Sequence, residues 1–133
     1  MLTSLDAATG MSRLRILVAE DEAPLREILA EGLRDEGFEV VTASDGVDAL
    51  DRFRSQGPFD VLLLDEEMPR LTGRRVLSRL RADGEQVAAV LFSGNLELDE
   101  DEQARLGVGA ALRKPVSLAE LSRAIQRAVR ERG

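Results

Sequence analysis

FDVLLLDEEMP, residues 59–69, holds the run on which the fold turns. Val61–Leu64 is apolar at four consecutive positions and follows the breaker Gly57-Pro58. A short run with no polar alternation, bounded by turn residues, reads as a strand buried on both faces. Such a strand needs a layer of structure above it and another below. Immediately after it come three acids, Asp65, Glu66 and Glu67.

The same alternation of apolar run and amphipathic segment extends in both directions. Arg15–Ala19 (RILVA) predicts a first strand. Residues 24–36 predict a helix, with Leu25, Ile28, Leu29 and Leu33 at helical spacing, Pro24 in the first turn and Gly37 as its stop. Phe38–Ala43 predicts a second strand and residues 46–55 a second helix. After the central strand, residues 72–82 predict a helix and Val87–Phe92 a strand. Residues 98–106 predict a weaker helix whose acidic first turn suits the positive end of the helix dipole. Ala110–Leu112 predicts a short fifth strand, and residues 117–131 a last helix, with Ser117 and Glu120 forming a capping box. Five βα units with doubly buried strands define an α/β protein: a doubly wound parallel sheet with helices on both faces. Periodicity does not give the strand order.

Composition narrows the chemistry. The 133 residues fit one domain, and 44% hydrophobic content with 3% aromatic content implies an aliphatic core. Cysteine and histidine are both absent, which excludes disulfides, thiolate and imidazole metal sites and histidine acid–base catalysis within the chain. A net charge of −7 makes direct nucleic-acid binding unfavourable. No membrane insertion is expected, since no apolar run approaches a bilayer span, and a cytoplasmic location is. Residues 1–12 are read as a disordered leader or an alternative start, with Met11 available as an initiator, and 13–131 as the domain. With no further domain after residue 131, the chain is expected to stand alone or to be a piece of a longer protein. Of the 18 cationic side chains one alone, Lys114, is lysine. That is either chance or a position that needs a compact ammonium rather than a planar guanidinium.

In open α/β sheets, ligands bind beyond the carboxyl ends of the strands. The first polar residues there are Glu20 and Asp21 after strand 1, Asp65 after strand 3, Ser93 after strand 4 and Lys114 after strand 5. Each alone has an ordinary reading as a helix start, a solvated loop, a turn or a surface charge. Together they bring three carboxylates, a hydroxyl and an ammonium to one edge. Clustered carboxylates repel unless compensated. An oxygen-only set suits a hard divalent cation such as Mg²⁺, and an aspartate beside Mg²⁺ and lysine suits acceptance of a phosphoryl group.

The chain resembles the receiver domains of two-component response regulators, the CheY-like family. The resemblance rests on Val18-Ala19-Glu20-Asp21-Glu22, Gly37-Phe38-Glu39-Val40, Ala43-Ser44-Asp45-Gly46 with Ala49-Leu50, and Phe59-Asp60 through Leu64-Asp65. It continues in Met68-Pro69 with Gly73, Ser93-Gly94, Gly109-Ala110 and Lys114-Pro115, and spans residues 13–130. It implies a flavodoxin-like (βα)5 sheet in the order 2-1-3-4-5. It further implies Asp65 as phosphoacceptor, with Mg²⁺ held by Asp21, Asp65 and the Glu67 backbone carbonyl, and by Glu20 through a water. Ser93 and Lys114 would contact the phosphoryl group, and Glu67 and Gly94 would tune its lifetime. Lys114-Pro115 is a peptide that the family often holds cis. The implied partners are a histidine kinase or histidine phosphotransfer protein and a downstream protein met through helix 4, strand 5 and helix 5. Such a domain catalyses only its own phosphorylation and dephosphorylation. Ala111 departs from the pattern: the family carries there an aromatic ring that turns inward on activation. Three rivals remain: a flavin domain, an Asp-nucleophile phosphohydrolase with Glu67 as acid–base group, and an interaction module without phosphorylation.

Overall fold

The computed structural model describes residues 13–95 and 97–132. The readings made for residues 1–12 lie outside the described residues. Ten elements alternate: β1 (Arg15–Ala19), α1 (Ala23–Asp35), β2 (Glu39–Ala43), α2 (Gly46–Gln56), β3 (Val61–Asp65), α3 (Gly73–Ala82), β4 (Ala88–Ser93), α4 (Glu100–Leu106), β5 (Ala110–Arg113) and α5 (Leu118–Arg132). All strand pairs are parallel, in the order β2-β1-β3-β4-β5. This is the doubly wound, flavodoxin-like sheet that the resemblance implies.

Alternation along each strand divides the core into two layers. Ile16, Val18, Val61, Leu63 and Val90 point to α1 and α5. Leu17, Ala19, Leu62, Leu64 and Leu91 point to α2, α3 and the end of α4. β3 is buried along its whole length, as its apolar run predicts. Caps set the helix starts: Asp45 accepts from the Asp48 amide at 2.8 Å, Thr72 from Arg75 at 3.3 Å and Asp99 from Glu102 at 2.7 Å. The Ser117–Glu120 capping box forms in both directions, each bond 3.1 Å long.

One of the four apolar positions of α1 stays out of the core. Ile28 is 64% exposed, while Leu29 and Leu33 are buried and Leu25 half-buried. The helix turns Leu25, Leu29 and Leu33 to the sheet, at spacings of four, and Ile28 falls outside that stripe. Helix 4 is also shorter than predicted, starting at Glu100.

Candidate functional site

The parallel register places the carboxyl ends of β1, β3, β4 and β5 side by side. Ala19 pairs with Leu64, Asp65 with Phe92 and Ser93 with Arg113. Glu20, Asp65 and Ser93 are buried, at 0%, 2% and 0% exposure, while Asp21 is exposed. Glu20, Asp21 and Asp65 each offer a carboxylate oxygen within 4.8 Å of the others. Lys114 reaches in from β5, with Nζ 3.0 Å from Asp65 Oδ2 and 3.4 Å from Glu20 Oε1. The Glu67 amide donates to Asp65 Oδ1 at 2.9 Å, and the Glu22 amide to Glu20 Oε2 at 3.0 Å. The Lys114 ammonium also stands 5.0 Å from the Phe92 ring centroid, a cation–π contact. The Lys114–Pro115 peptide is cis, as the resemblance implies, and so is Gly57–Pro58.

The electrostatics follow from this crowding. Burial pushes the Glu20 carboxyl up to about 7, and the neighbouring Asp65 adds to that. The Glu22 amide and Lys114 pull the other way without prevailing. Burial works against the Lys114 ammonium, but Asp65 and Glu20 outweigh it and hold its pKa above the ordinary lysine value. A second positive charge, beside Lys114, would lower the repulsion among these acids. The donor set is all oxygen, drawn from three carboxylates, which suits Mg²⁺ and not a soft metal.

Ser93 lies at the same edge, but its hydroxyl accepts from the Asn95 amide at 3.2 Å and shapes the start of the β4–α4 loop. Glu67 leans across the cleft: a Cβ built on Gly94 would sit 3.8 Å from Glu67 Oε1. Ala111 is half-buried against the layer shared by α2 and α3, so the position faces inward but carries no ring. Sequence reasoning missed Arg26, whose guanidinium donates to the Glu20 carbonyl at 2.8 Å and so props the β1–α1 turn. Its place in the first turns of α1, following Asp21, was the available signal. It also missed Arg70, at φ 70°, which grips Asp45 bidentately at 2.9–3.1 Å.

Residues 16–126 match the response regulator receiver domain family. The chain belongs to this family, the receiver domains of two-component signalling. It is 39% identical over 127 residues to the transcriptional regulatory protein PrrA of Mycobacterium tuberculosis, covering 94% of this chain and 54% of PrrA. It is 40% identical over 110 residues to the response regulator MprA of Mycobacterium avium, covering 81% and 47%. The chain thus spans about half the length of the curated relatives it matches. A receiver domain protein of Clostridium thermocellum superposes with a TM-score of 0.79 at 32% identity, over 89% of this chain and 95% of that one. The chemotaxis protein CheY4 of Vibrio cholerae does so with a TM-score of 0.79 at 26% identity, over 88% and 99%. No helix of the described residues is long and apolar enough to cross a membrane.

Proposed function

We propose that the chain accepts a phosphoryl group on Asp65, from the histidine of a kinase or phosphotransfer protein, with Mg²⁺ as cofactor. The observation that carries this is the Lys114 ammonium 3.0 Å from Asp65, with Glu20 and Asp21 converging on the same point. Asp21, Asp65 and the Glu67 carbonyl would hold the cation directly and Glu20 through a water; when bound it neutralises the transferring phosphoryl oxygens. An Asp65 oxygen attacks phosphorus in line. The bond from phosphorus to the donor nitrogen breaks, and its electron pair leaves with the imidazole. Lys114 then faces a phosphoryl oxygen, and Ser93 gives up its bond from Asn95 to reach another. Glu67 and Gly94 border the path of attacking water and set the lifetime of the acyl phosphate.

The chain performs no turnover on other substrates in this reading. It acts in the cytoplasm and signals to a downstream protein through α4, β5 and α5, where Arg113, Arg123 and Arg127 are exposed. It has no direct role in nucleic-acid binding. The test is incubation with acetyl phosphate, followed by intact-mass measurement. The wild type retains one phosphoryl group with Mg²⁺ and none after chelation, and Asp65→Asn retains none. Retention by Asp65→Asn would overturn the reading.

A further inference from the structure

Glu66, the residue directly after Asp65, is bound to a side chain that reaches into the next helix. Its carboxylate accepts from the Arg74 amide and from Arg74 Nε, each at 2.8 Å. The same guanidinium donates to Glu102 Oε1 on α4 at 2.9 Å and to the Glu97 carbonyl, in the loop that follows Ser93, at 2.7 Å. One side chain therefore ties the phosphoacceptor loop, the β4–α4 loop and α4 together. The pair is not a solvated surface contact: side-chain exposures are 27% for Arg74, 12% for Glu66 and 24% for Glu102. Partial burial and charge-assisted geometry make such bonds stronger than exposed ion pairs.

What α4 lacks gives this tie its weight. Of its seven residues Leu106 alone is buried, at the far end from Glu100. Leu98, ahead of the helix, is only half-buried against the core, and Arg81 holds the far end by donating to the Leu106 carbonyl at 2.7 Å; between them, Glu102 is the α4 side chain tied to the phosphoacceptor loop. Close packing fixes the other end of the tie. Gly73 sits so near β3 that a Cβ there would lie 2.7 Å from the Asp65 carbonyl, and the Gly73 amide donates to the Glu66 carbonyl at 3.3 Å. Arg74 shares the cleft of about 560 Å³ with Asp21, Glu67 and Asn95. New negative charge on Asp65 would compete with Glu102 for this cation.

We propose that Arg74 is a positioning residue that latches α4 to the phosphoacceptor loop, and that charge added at Asp65 draws it off Glu102 and loosens α4. It supplies a route from site to helix that Ala111 does not provide. The release step rests on the phosphoacceptor reading; the latch itself does not.

Hydrogen exchange on the full chain decides it, with and without beryllofluoride and Mg²⁺, and with adduct occupancy read by native mass in the same samples. In the unmodified state, Arg74→Met and Glu102→Gln each speed exchange of the 100–106 amides roughly tenfold or more, the effect of losing a charge-assisted bond. The double variant exchanges no faster than Arg74→Met, because both remove one link. Beryllofluoride speeds the same amides in the wild type and leaves Arg74→Met unchanged. Wild-type exchange in either single variant, or an equal beryllofluoride response with and without Arg74, would overturn the proposal. Should Arg74→Met not fold, Glu102→Gln alone makes the same comparison. An absent adduct would sink the phosphoacceptor reading, while the unmodified samples still judge the latch.

Discussion

α3 and α4 pack on the same face of the sheet by different means. α3 buries Gly73, Val76, Leu77 and Leu80 across ten residues, whereas α4 buries Leu106 across seven. α3 is held by apolar area, which does not depend on the charge state of the site. α4 is held by Leu106 and by the Arg81 bond to its last carbonyl at one end, and near its start by half-buried Leu98 and by the Arg74–Glu102 ion pair, which responds to charge. The helix that shares its loop with Asp65 is anchored by more apolar packing than its neighbour. A switch needs such a division: a fixed platform for the chemistry and a weakly held element to carry the result.

Truncating the two helices should expose the contrast. Leu77→Ala is expected to cost about 3 kcal/mol in denaturant unfolding, within the usual range for a fully buried leucine. Leu106→Ala, at the margin of the core, should cost about 2 kcal/mol or less. Equal losses would erase the distinction. Gly73→Ala forces a Cβ against the Asp65 carbonyl and should cost about 2 kcal/mol while slowing phosphorylation. Unchanged phosphorylation kinetics would mean that α3 does not set the position of Asp65.

The site carries a cost that neither helix carries. Glu20 has an ordinary value of 4.5 and is pushed to about 7 in the fold. Between those values the folded chain keeps a proton that the unfolded chain has lost. Metal-free stability therefore falls as pH rises from 4.5 to about 7, by on the order of 3 kcal/mol, and Glu20 adds no slope above that. Urea titrations across this range with Glu20→Gln as control should show the decline in the wild type only. Mg²⁺ at a hundred times its dissociation constant should raise stability by about 2.7 kcal/mol at neutral pH, and much less in Asp21→Ala. The smallest effect belongs to α1: Ile28→Ser should change stability by no more than about 0.5 kcal/mol, because that side chain is exposed.

The regular elements were legible because each strand is a short apolar run and each helix keeps its spacing. The site was legible in part. Asp65 and Ser93 end their strands and Glu20, Asp21 and Lys114 follow theirs, so parallel register brings them to one edge. What the sequence concealed depends on tertiary geometry. Arg74 and Glu102 are 28 residues apart, and no local pattern couples them. Ile28 satisfies a helical spacing, yet α1 turns Leu25, Leu29 and Leu33 to the sheet and leaves it in solvent. Glu66 reads as one of three loop acids, and its ion pair with Arg74 separates it from the exposed Glu67.

The division between platform and moving element has meaning only if the chemistry occurs at Asp65. After treatment with acetyl phosphate and Mg²⁺, borohydride reduction converts an aspartyl phosphate to homoserine and leaves a phosphoserine intact. Peptide mass mapping of the wild type should then place homoserine at position 65, with Asp21, Glu67 and Ser93 unmodified. Reduction at Asp21, or a borohydride-resistant phosphate on Ser93, would contradict the account.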